Sequence, residues 1–151
     1  MSELPIETRP PQRVHVAWRG GHRFAAGSPG HPEILMDGDR EQGPSPVDTL
    51  LAALAGCTGY DIVEILGKRR ATIHGVTIDV DGTRVNAVPA RVVAIHLGYT
   101  IAAEGIEREH AERAVELAVG KYCSVRDSLA SDIAITWSVM LNGEAGTTRA
   151  G

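Results

Sequence analysis

The 151-residue chain is poor in aromatic residues and in cysteine, with one phenylalanine, three tyrosines, two tryptophans and two cysteines. Few π-faces and a net charge of −4, with acids and bases interspersed, leave neither a stacking platform nor a basic patch for a nucleic acid. The first eleven residues carry charges and prolines where a secretion signal has an apolar run, and no segment reads as the roughly 18 consecutive apolar residues of a membrane span. The expectation is a soluble, cytoplasmic protein. Such a compartment keeps thiols reduced, so Cys57 and Cys123 read either as thiol chemistry or as inert side chains, and not as a structural staple. A chain of this length buries about 70% of its unfolded surface and needs no staple.

Residues 1 to 151 are expected to form a single α+β domain, without repeats, with residues 1–11 and 142–151 as loose termini. Residues 12–18 and 22–26 flank a Gly20, Gly21 turn as a hairpin, with residues 32–37 as a third strand. Ser45, Pro46 and Asp48 mark a helix start: serine as N-cap, proline at the first helical position and aspartate closing a capping box. That helix should run to about Lys68. Strands follow over residues 75–81 and 91–101, and an amphipathic helix over 104–121. Ser124 and Asp127 read as the cap of a short third helix, ahead of a strand of period two over 133–141.

A helix over 46–68 spans roughly 35 Å and must cross a domain of this size. Leu50, Leu51, Leu54, Ile62, Ile65 and Leu66 occupy one broad side, while Ala52, Ala53, Gly56, Gly59 and Val63 line much of the other. One sheet can cover the large residues, and the small ones suit the close approach of another helix. A homodimer with this helix near its interface is the expectation; a monomer whose own second helix covers the small face is the alternative.

Cys57 lies on the side of Asp61 and Glu64, whose negative charges oppose a thiolate, and too far along the helix for its N-terminal dipole to help. A reactive Cys57 therefore requires a cation from elsewhere in the molecule. Cys123 precedes Ser124, close to unpaired backbone N–H groups and to Arg126, and is expected to be moderately activated. The six histidines are scattered, and Glu107 with His110 reads as a solvated helix face, so no metal site is supported. A Cys–His hydrolase would need a histidine beside Cys57. The glycine-rich stretches read as turns and not as phosphate cradles.

The block from Gly43 through Cys57 to Thr58, the segment Val63 to Lys68, and Glu116 to Ser124 resemble the OsmC/Ohr family (osmotically inducible protein C and organic hydroperoxide resistance protein), in its OsmC-like branch. The order of elements fits from about residue 12 to 141, and a cysteine spacing in the mid-sixties is a specific part of the match. The resemblance implies an intertwined homodimer, with antiparallel sheets wrapped around two long central helices. It implies a thiol-dependent peroxidase that reduces organic hydroperoxides, and hydrogen peroxide less well, without metal or cofactor. Cys57 would form a sulfenic acid that Cys123 resolves as a disulfide. Glutathione-type thiols, thioredoxin or a lipoylated protein would serve as reductant.

The family also uses an arginine beside a hairpin turn and a carboxylate near the start of the central helix. Arg19 matches the arginine, with Arg23 and Arg40 as rivals. Asp48 matches the carboxylate of the OsmC-like branch, whereas Val47 stands where the Ohr branch has glutamate. Asp48 points away from Cys57 on an ideal helix and already has a capping role, so Glu64 competes with it as the orienting acid. A dimeric small-molecule binding protein with incidental thiols, and a redox sensor without useful turnover, are the alternative functions.

Overall fold

A computed structural model describes residues 5–151, which group into two compact units that meet between Thr49 and Leu50 of the chain. Of the arm expected over 1–11, residues 1–4 lie outside the described residues, and residues 5–11 are exposed and belong to no helix or strand.

In the first unit, β1 (His15–Trp18), β2 (Arg23–Gly27) and β3 (Ile34–Asp37) form an antiparallel meander. Gly20 and Gly21, with φ of 90° and 56°, make the first turn, and the Trp18 indole Nε1 donates to Gly21 O at 2.9 Å. After β3 the chain coils around the buried Asp37 carboxylate, which accepts the N–H groups of Asp39 (2.9 Å) and Gln42 (3.0 Å). Those donors, the Asp39 N–H first, hold the Asp37 carboxyl below its ordinary pKa. Gly43 closes this coil so tightly against the Leu35 carbonyl that a Cβ would overlap it. Ser45 then caps α1 (Pro46–Lys68): Asp48 N–H donates to Ser45 Oγ (3.1 Å) and Ser45 N–H to Asp48 Oδ2 (3.0 Å).

In the second unit, β4 (Thr72–Arg84) and β5 (Val92–Glu104) pair antiparallel over most of their length. The chain then crosses through α2 (Arg108–Leu117), a π-helical turn (Ala118–Tyr122) and α3 (Ser124–Ser128) to β6 (Ala134–Leu141). Such a helical crossover is what lets β6 lie parallel to β5. The larger sheet is therefore mixed, not antiparallel as expected. Leu97, Tyr99, Ile101, Trp137 and Val139 alternate onto one buried face, which packs with Ala111, Ala114, Val115, Ala118 and Val119 of the crossover. On that same face α1 places Gly59 against Ile78 and Leu51 against Gly82.

Two further expectations change. The helix expected from residue 104 begins at Arg108, because β5 continues to Glu104 opposite Thr72 and Gly105 turns the chain at φ 83°. His110 also closes a capping box on that exposed face, its Nδ1 accepting the Glu107 N–H at 3.1 Å. The tail is paired and not frayed. Its strands β7 (Glu144–Ala145) and β8 (Arg149–Ala150) run antiparallel to β6, Gly151 N–H donates to Ile135 O at 2.8 Å, and Arg149 pairs with Glu112 at 2.6 Å.

Contrary to the sequence expectation, α1 is long and apolar enough to cross a membrane by length and composition, since its alanines and glycines raise the apolar average around a few charges. Leu54, Thr58, Ile62 and Leu66 are its fully buried stripe. Ala52, Ala53, Gly56, Tyr60 and Val63 remain exposed, Tyr60 at 70% and Val63 at 45%.

Candidate active site

Cys57, midway along α1, and Cys123, between the π-helical turn and α3, adjoin each other in the second unit, both as free thiols. The approach depends on the irregular crossover. Cys123 N–H donates to Ala118 O at 3.0 Å, the five-residue bond that closes the π-helical turn and re-aims the chain by one residue. The backbone is extended at Cys123 (φ −72°, ψ 106°), and its Sγ accepts the N–H of Arg126 at 3.2 Å. Cys123 itself is thus the N-cap of α3, and Ser124, expected in that role, is the first helical residue.

Cys57 is half-buried, whereas Cys123 is only 4% exposed. Burial pushes the Cys123 thiol up to about 11, the adjoining Cys57 adds to the rise, and the Arg126 N–H opposes it. The expectation of an activated Cys123 fails: loss of water outweighs the helix-end donors, and Cys123 is a protonated thiol at neutral pH. Beneath the pair, Tyr99 Oη donates to Thr58 Oγ1 at 2.7 Å, and Thr58 Oγ1 donates to Ala55 O at 3.0 Å. Both side chains are buried, which raises the Tyr99 pKa far above its usual range. Sequence reasoning missed this pair. Its one signal was a lone tyrosine on the apolar face of β5, which must find a partner for its hydroxyl.

One turn beyond Cys57 a groove of about 600 Å³ opens between α1 and the end of α2, lined by Tyr60, Asp61, Glu64, Ile65, Lys68, Arg69, Leu117 and Tyr122. Its acidic end lies on the cysteine side. Burial, with Glu64 beside it, raises the pKa of Asp61. Glu64 is exposed and forms no ion pair among the described residues.

The first unit holds the remaining candidates. Arg40, in the left-handed region at φ 57°, makes a two-pronged pair with Asp48, Nε to Oδ2 and Nη2 to Oδ1 at 2.7 Å each. Arg40 first, and Ser45 after it, hold the Asp48 carboxyl at about 2. Arg19 is half-exposed and sits 3.7 Å from Glu33, and Arg23 lies under the Gly20, Gly21 turn with its charge on Asp37. The structure therefore brings Asp48 to Arg40 and not to Arg19. The sequence left those arginines as rivals because only the coil around Asp37 aims one of them at the helix start. No cluster of three or more His, Cys, Asp or Glu side chains suited to a metal occurs among the described residues.

The fold is α+β, with an adjoining pair of free thiols on the central helix and the crossover. A family model described as OsmC-like protein matches residues 37–138. Protein YhfA of Escherichia coli strain K12 is 32% identical over 127 residues, covering 83% of this chain and 95% of that protein. An OsmC-like protein of known structure from Mycoplasma pneumoniae superposes with a TM-score of 0.75 at 18% identity, covering 89% of this chain and 99% of that one. The organic hydroperoxide resistance protein OhrB of Bacillus subtilis has the same fold at a TM-score of 0.54 and 16% identity, over 87% of this chain and 98% of that one. This chain belongs to the OsmC-like protein family.

Proposed function

We propose that the protein is a dithiol peroxidase for organic hydroperoxides, with Cys57 as the attacking thiol and Cys123 as the resolving one. The observation that carries the reading is the asymmetry of the adjoining pair, a half-buried Cys57 and a buried Cys123 that stays protonated. Cys57 thiolate attacks the distal peroxide oxygen, the O–O bond breaks, and the alkoxide leaves and is protonated to an alcohol. The Cys57 sulfenic acid is then attacked by the Cys123 sulfur. An S–S bond forms, and the departing hydroxide takes the Cys123 proton as water. An external dithiol, a thioredoxin or a lipoylated protein in the reducing cytoplasm, restores both thiols.

Arg40, which Asp48 grips, and Arg19, beside Glu33, are the candidates for the cation that a reactive Cys57 requires. Hydrogen peroxide lacks the apolar group that Ile65, Leu117 and Tyr122 would cover, so it is the poorer substrate. The protein acts as a homodimer, a reading supported by the exposed Ala53, Gly56, Tyr60 and Val63 face of α1.

The test is consumption of cumene hydroperoxide with dithiothreitol. Wild type should turn over, and Cys57→Ser should lose at least about a thousandfold, the scale of removing a nucleophile. Turnover retained in that variant sinks the assignment. A lower fraction of Cys57 alkylated at neutral pH in Arg40→Met but not in Arg19→Met would assign the cation to Arg40, and the reverse result would assign it to Arg19.

A further inference from the structure

Arg126 is the unexplained side chain near the thiols. Its backbone N–H caps the Cys123 sulfur at 3.2 Å, while its own Nη2 donates to the main-chain oxygen of Gly151 at 3.0 Å. Its Nε is buried without a partner among the described residues. Shielding part of a guanidinium from water in that way is unfavourable unless the placement serves something else. The oxygen it grips belongs to a strap that is itself firmly set. Ala150 and Arg149 pair with Thr136 and Trp137 of β6, Arg149 lies over the Trp137 ring at 5.6 Å and holds Glu112 at 2.6 Å. Gly151 is wedged so closely that a Cβ would stand 2.9 Å from Val119.

A five-residue helix has too few internal hydrogen bonds to hold its own orientation. We propose that Arg126 is a positioning residue for the resolving thiol. By clamping α3 to the β8 strap it fixes the direction of its own N–H, and that N–H fixes the Cys123 sulfur toward Cys57 and stabilises its negative charge as it develops. The inference rests on the Cys57–Cys123 couple proposed above, but not on peroxide as the oxidant.

Ellman's reagent separates the two. Cys57 thiolate attacks the reagent's disulfide, forming a mixed disulfide and releasing one thionitrobenzoate. Cys123 then gives its proton to solvent and attacks the Cys57 sulfur, forming the protein disulfide and releasing a second. The first phase reports Cys57, and the second reports Cys123. Arg126→Leu should slow the second phase roughly tenfold, the kinetic value of about one hydrogen bond to a charged sulfur, and shift its pH profile to higher pH. The first phase should be unchanged. Arg126→Lys, which can still donate to Gly151 O, should recover most of the rate. Arg149→Ala, which touches neither thiol, should slow the second phase a few-fold by loosening the strap. An unchanged second phase in Arg126→Leu overturns the proposal, as does an equal slowing of both phases, or a wild type with no second phase. A wild type that closes its disulfide with these sensitivities yet consumes no hydroperoxide would sink the peroxidase and leave the clamp standing.

Discussion

The coil that carries Arg40 and the crossover that carries Cys123 solve the same problem, holding one side chain still, by opposite means. Around Arg40 the fixing is polar and local. Asp37 gathers two N–H groups, Ser45 and Asp48 exchange bonds, and Asp48 takes both prongs of the guanidinium. Around Cys123 it is burial and long-range contact: a π-helical turn against the sheet, a single N–H on the sulfur, and a strap from far along the chain. Hydrogen bonds fix a charged group without removing it from water, whereas burial fixes a thiol and holds it neutral. The two regions should therefore respond differently to substitution and to pH.

The largest effect should come from Gly43→Ala. A Cβ there overlaps the Leu35 carbonyl, a backbone atom that cannot swing away, so a loss of roughly 2–4 kcal/mol is expected in denaturant unfolding. A loss below 1 kcal/mol would mean that the coil is pliant and the contrast overdrawn. Thr58→Val should come next. It strands the buried Tyr99 hydroxyl under the thiol pair at about 1–3 kcal/mol, while Tyr99→Phe, which leaves Thr58 bonded to Ala55 O, should cost less. Equal losses would point to a water replacing the missing partner.

The smallest effects are in the pH dependence, and they assign one limb to each region. Asp48 is held at about 2 against 3.8 for a free aspartate, so it contributes stability above pH 3.8 that disappears as the pH falls through 2. Cys123 is raised to about 11 from 9.0, so between those values the unfolded chain has lost a proton that the folded one keeps. Stability falls with rising pH across that window. Asp48→Asn should flatten the acid limb only, and Cys123→Ser the alkaline limb only, in melting scans from pH 2 to 11. A variant that flattens the opposite limb would show the two regions to be coupled.

Legibility divides along the same line. The bounds of α1 were readable because Ser45, Pro46 and Asp48 act on neighbours three residues away, and the long strands of the larger sheet showed their period-two pattern. Cys57 and Cys123 were singled out by a family resemblance. What the sequence could not convey was the strap over Trp137, the parallel entry of β6, the Tyr99–Thr58 bond, and the choice of Arg40 over Arg19 as the partner of Asp48. Each depends on residues distant along the chain or on a backbone turn with no side-chain signature. Arg40 adopts a left-handed conformation usually left to glycine, so nothing at its own position announces it.

By itself the sequence determined where the long helix begins and which faces of helix and strand are apolar, because caps and periodicity act over a few residues. It also determined that the two sulfurs were the residues to watch. Only the tertiary structure decided that Cys123 is the neutral, buried member of the pair. A thiol's proton affinity depends on how much water is removed from around it, and that is set by the packing of the whole crossover against the sheet.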